Sequence, residues 1–76
     1  MKMLRCVGGP LDGKDTISRF PKGFLVVDKP AGRCWLYDIA ADESGWILRE
    51  GYPQAWDRQK SEEAAEGSDY DVLVIP

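Results

Sequence analysis

Short apolar runs separated by turn-forming residues set the pattern of this chain, which is that of a β-sheet rather than of a helical bundle. Six strands are predicted. Residues 3–7 and 14–19, the latter centred on Thr16 and Ile17, flank the turn Gly8-Gly9-Pro10-Leu11-Asp12-Gly13 and form a hairpin. Its glycines accept positive φ, Pro10 fixes its own φ, and Asp12-Gly13 is a favoured reversing pair. A second reversal at Phe20-Pro21-Lys22-Gly23 leads into residues 24–27, a continuous apolar run that predicts a central strand. Residues 33–37 alternate, with Cys34 and Leu36 on one face and Arg33, Trp35 and Tyr37 on the other. After a connecting loop at 39–44 come a fifth strand at 45–49 and a sixth, rich in β-branched residues, at 70–75.

Between the last two strands, residues 54–66 contain no Gly, Pro or β-branched residue and predict a helix. Its apolar stripe is thin, Trp56 with Ala64 and Ala65, so its packing leans on Trp56. The expected fold is α+β, mostly β: a single domain over 1–76 with a small, mostly antiparallel sheet of five or six strands. The sheet is rolled or half-barrelled, with one helix before the last strand. The connection to that strand is long enough for it to leave the fifth and pair with the first. At 76 residues, apolar burial and ordering entropy nearly cancel, and a small sheet exposes edges, so a homodimer is expected.

Composition narrows the chemistry. The chain has no histidine, the commonest general base and metal ligand, so an enzyme is not expected. Two cysteines, Cys6 and Cys34, are too few for a zinc cage or a cystine scaffold, and reduced thiols are expected, with a single bridge between them the minor alternative. No stretch has the length of a secretory signal or a membrane span, which predicts a cytoplasmic protein without cofactor, metal or membrane contact. The net charge of −3 disfavours blanket binding to polyanions. Charge is uneven, however: residues 1–36 carry seven basic and three acidic side chains, and residues 37–76 carry three basic and ten acidic.

Two surfaces follow from that imbalance. Asp38, Asp42, Glu43, Glu62, Glu63 and Glu66 form a candidate acidic contact for a protein partner. Lys14, Arg19, Lys22 and Arg33 with Trp35 and Tyr37 form an alternative that stacks single-stranded nucleic acid, although large aromatics in so short a chain are expected first to fill the core. The Gly8-Gly9 pair resembles a phosphate nest only superficially: the lysine-bearing phosphate-loop pattern is absent and a strand pattern follows, so the turn reading is preferred. Asp38, Asp42 and Glu43 lack the ligand spacing of a calcium loop.

The opening Leu4-Arg5-Cys6-Val7-Gly8-Gly9-Pro10-Leu11-Asp12-Gly13, with the aromatic strand Trp35-Leu36-Tyr37 further on, resembles the start of small uncharacterised proteins encoded by bacteriophages and prophages. The resemblance implies a phage or prophage accessory protein in a bacterial cytoplasm and supplies no catalytic residues. The expected function is therefore non-enzymatic binding of a host or phage protein through the acidic half, with single-stranded nucleic-acid binding or a minor virion component as alternatives.

Overall fold

The computed structural model describes residues 2–66 and 70–75. Seven strands and one helix are seen among them: β1 Lys2–Val7, β2 Asp15–Ser18, β3 Gly23–Asp28, β4 Arg33–Ile39, β5 Gly45–Leu48, β6 Gln54–Ala55, α1 Arg58–Glu66 and β7 Tyr70–Ile75. They form one sheet in the order β2-β1-β5-β4-β3-β7, with β6 also on β4, curled into a nearly closed barrel. The predicted hairpin is present, with Met3 opposite Ile17 and Arg5 opposite Asp15. The edge strands β2 and β7 share no backbone ladder; Arg19 instead reaches across to the buried Asp71 carboxylate at 3.4 Å.

Three expectations are corrected. The strand count is seven rather than five or six, because β6 adds a two-residue strand. The helix begins at Arg58, not at residue 54: Gln54 and Ala55 pair with Cys34 and Arg33, and Asp57 accepts the Lys60 N–H at 3.0 Å as the helix N-cap. Finally, β7 pairs with β3, in parallel, rather than with β1, whose neighbours are β2 and a parallel β5. The run through β4, β5, β6 and α1 supplies the long crossover that a parallel β3–β7 pair requires. The sheet is thus mixed, with antiparallel pairs in the majority.

Period-two alternation divides the apolar residues into two cores on opposite faces of β3 and β4. Inside the curl, Phe24, Val26, Tyr37, Trp46 and Cys6 are buried together. Phe24 stacks on Tyr37 at 5.0 Å and meets Trp46 edge-on at 5.4 Å. Outside, Leu25, Val27, Cys34 and Leu36 are buried beneath Tyr52, Trp56, Tyr70 and Val72. The strand at 24–27 is buried and paired on both sides, by β4 and β7, although it stands next to the edge rather than at the middle of the order; each of these side chains contributes about 1.5–3 kcal/mol on full burial. Cys6 and Cys34 are both free and lie in different cores.

The glycine turn closes one end of the curl. Gly8, Gly9 and Gly13 all have positive φ, the Gly8 N–H donates to Asp12 at 2.8 Å, and residues Gly9–Leu11 form one 3-10 turn. The Tyr37 hydroxyl rises from the core to donate to the Gly8 carbonyl at 2.6 Å and accept from the Leu11 N–H at 3.2 Å. A Cβ at Gly9 would run into that hydroxyl. The turn is therefore anchored by a phenol, and the Gly8 N–H that an anion nest would use is already bonded to Asp12.

Candidate functional site

The outer face of the sheet has a covered half and a bare half. Residues 45–56 run along β4: β5 pairs with its C-terminal part, Arg49 N–H donates to the Leu36 carbonyl at 2.8 Å and Trp56 N–H to the Gly32 carbonyl at 3.0 Å. Between β5 and β6 the chain bulges away through Gly51, at φ 94, and a cis Tyr52–Pro53 peptide. Residues 49–56, a strap over the sheet, and α1, which packs on β7 and β3, cover the outer core, Tyr52 and Trp56 lying against it. Trp56, expected within the helix, lies just ahead of it; it packs on the outer core, its indole N–H donating to Ser61 of α1 at 2.6 Å and its ring lying under the Lys29 ammonium at 5.9 Å.

The bulge leaves a cavity of about 350 Å³ between strap and sheet. Leu25 and Leu36 form its apolar floor, Tyr52 and Tyr70 its aromatic walls, and Arg49, Gln54 and Lys60 its polar rim. Arg49 makes a two-pronged ion pair with Asp38 at 2.7 and 2.8 Å and also donates to the Tyr70 hydroxyl at 2.9 Å, while that hydroxyl donates to Asp38 at 2.6 Å. The Asp38 bond pushes the Arg49 pKa further up. Lys60 donates to the Gln54 side-chain oxygen at 2.7 Å. Burial raises the pKa values of the Tyr52 and Tyr70 phenols and of the nearby Cys34 thiol, so all three are neutral at pH 7.

On the bare half, β2, β1 and β5 expose four large apolar side chains: Met3 at 62%, Val7 at 52%, Ile17 at 45% and Ile47 at 40%. Register makes them neighbours, since Met3 faces Ile17 and Val7 faces Ile47. Between the two pairs lie Arg5 and Asp15, 3.8 Å apart and largely exposed. The β4–β5 loop, carrying Asp42 and Glu43, enters the sheet at Gly45 opposite Arg5, at the same end as Met3 and Ile17. Asp42 accepts bonds from the Ser44 hydroxyl and N–H at 2.6 and 3.1 Å, which hold its pKa below the usual carboxylate value.

The acidic residues proposed from sequence do not form one surface. Asp38 is tied to Arg49 and Tyr70 at the cavity mouth, Asp42 and Glu43 lie in the β4–β5 loop, and Glu62 is exposed on α1. The side chains of Glu63 and Glu66 lie outside the described residues. The nucleic-acid alternative is dispersed as well. Tyr37 is completely buried, which removes it from any stacking surface, and Trp35 packs against the same inner core. Arg19 is engaged by Asp71. Arg19 and Lys22 flank the β2–β3 turn at one end of the sheet, whereas Lys14 and Arg33 lie at the other.

Sequence reasoning passed over the bare strip and the cavity. The strip had a readable signal: in β1, Leu4 and Cys6 alternate with Met3 and Val7, so both faces of the strand are apolar and one awaits a cover. The cavity had none, because it arises where residues 49–53 leave β4. No protein-family model, curated protein or solved structure matches the chain.

Proposed function

We propose that this chain is a non-enzymatic accessory protein, of the kind phage and prophage genomes encode, that binds another protein on the bare outer face of β2, β1 and β5. One observation carries the reading: Met3 with Ile17 and Val7 with Ile47 form two cross-strand apolar pairs on one face, either side of the Arg5–Asp15 pair, and each of the four is at least 40% exposed. Apolar side chains grouped in this way mark interaction surfaces, whereas scattered ones do not. Covering what remains open of four such side chains contributes about 4 kcal/mol, at the low end of what association costs. The strip therefore forms the centre of an interface and charges at its margin add the remainder. Asp42 and Glu43 lie at that margin, so the partner is a protein with an apolar centre and basic residues facing the β4–β5 loop.

The test is affinity capture from bacterial lysate with wild-type protein and surface variants checked for native circular dichroism. A protein retained by wild type, lost with Val7→Asp or Ile47→Asp, and held less tightly and with weaker salt dependence by Asp42→Lys/Glu43→Lys, supports the proposal. It fails if Val7→Asp and Ile47→Asp retain that protein, if no protein is retained, or if sedimentation shows that the strip joins two copies of this chain.

A further inference from the structure

We infer that the cavity on the covered half of the sheet is a binding site for a small organic monocarboxylate. The cavity is separate from the bare strip, since the Asp38–Arg49–Tyr70 cluster stands between them, and the inference does not rest on the proposed protein contact. Its size falls at the lower end of the range for small-molecule sites, and its lining has their usual character, an apolar floor with a few converging polar groups.

The charge of the lining selects the ligand. Arg49 is neutralised by Asp38 through two short bonds, and Tyr52, Tyr70 and Cys34 are uncharged at pH 7. Lys60 remains. Its ammonium is held at the rim by the neutral oxygen of Gln54, and no described carboxylate pairs with it. Among the described side chains that line the cavity, Lys60 is thus the one charge without an opposite charge bonded to it, which favours a monoanion over a phosphate dianion. The Tyr52 hydroxyl has no hydrogen-bond partner among the described residues and is available to donate to the second oxygen of a carboxylate. Leu25 and Leu36 beneath these groups accept hydrocarbon, so the ligand is an anionic head on a compact apolar body. The cavity volume fits a single ring or a short branched chain.

Benzoate is a suitable probe, with benzamide as the uncharged counterpart and inorganic phosphate as the anion without an apolar body. Titration of isotope-labelled protein, followed by amide chemical shifts, should give saturable changes at Leu25, Leu36, Gln54 and Lys60 with benzoate, at a dissociation constant of about 1 mM or below. Lys60→Met should weaken binding by roughly tenfold or more, the loss of one charge-assisted hydrogen bond. Tyr52→Phe, which keeps the ring packed, should weaken it several-fold, and Val7→Asp should leave it unchanged. The inference is overturned if benzoate gives no saturable change up to about 10 mM or if benzamide or phosphate binds as well as benzoate. Unchanged affinity in both Lys60→Met and Tyr52→Phe overturns it too.

Discussion

Removing one oxygen atom, by Tyr37→Phe, tests how the glycine turn is held. The ring should stay in place, stacked on Phe24 in the inner core, while two hydrogen bonds are lost, the 2.6 Å bond to the Gly8 carbonyl and the 3.2 Å bond from the Leu11 N–H. Each contributes about 1 kcal/mol net, and the two abandoned backbone groups are only partly buried, so water limits the added penalty. The expected destabilisation is about 2 kcal/mol, a large share of the roughly 4–11 kcal/mol typical of a domain this size, and a fall in Tm of about 10 °C. Urea unfolding followed by the fluorescence of buried Trp46 measures it. A second variant sharpens the test. Gly9→Ala alone would drive its methyl group into the Tyr37 hydroxyl and strain a residue at φ 66, whereas in Gly9→Ala/Tyr37→Phe the collision is relieved. The double variant should therefore cost less than the two single costs added together. A Tyr37→Phe loss below about 0.5 kcal/mol, within the range of an ordinary surface substitution, would refute the anchoring role, and strict additivity would refute the steric one.

Further outcomes follow from other parts of the fold. Burial raises the pKa values of Cys6, Cys34, Tyr37, Tyr52 and Tyr70 above their ordinary 9.0 for thiols and 10.0 for phenols. Their stabilisation is complete below those values and is lost as pH rises through the folded ones, so chemical denaturation across pH 7 to 11 should show a plateau followed by a decline starting near pH 9. Both thiols should react with a disulfide reagent many times more slowly in native than in unfolded protein, because they are buried and protonated; rapid native labelling of either would contradict its placement. Single-stranded oligonucleotides should leave tryptophan fluorescence unchanged, since Trp46 is buried, Trp35 packs on the inner core, and Trp56 packs on the outer core with its N–H held by Ser61. Arg19→Ala, which opens the gap between β2 and β7 but removes a largely exposed partner, should cost about 1 kcal/mol in the same urea assay.

Much of this fold is legible from local pattern. The parity of residues 33–37 places Cys34 and Leu36 on one face and Trp35 and Tyr37 on the other, and the unbroken run at 24–27 marks a strand buried on both sides. What local pattern does not carry is partnership. Nothing within residues 70–75 distinguishes β1 from β3 as a neighbour; in the fold β7 pairs with β3, and α1 packs on both. Gln54 and Ala55 have helical preference, yet their pairing with Cys34 and Arg33 overrides it. Asp57, by contrast, is an N-cap signal readable in advance and marks the true start of the helix. Of the candidate sites, the acidic residues were visible as a cluster in sequence, but a cluster along the chain is not a face in space, and Asp38 is committed to Arg49. The cavity depends on where the backbone departs from β4, a property no single residue states.

The parallel union of β3 with β7 has a consequence for biogenesis. β3 is made early and its apolar flank stays open until a strand much further along the chain arrives to complete it. During that interval Phe24, Leu25, Val26 and Val27 form a bare template for any other nascent chain, so crowded synthesis, rather than the finished molecule, is where this protein is most exposed to aggregation.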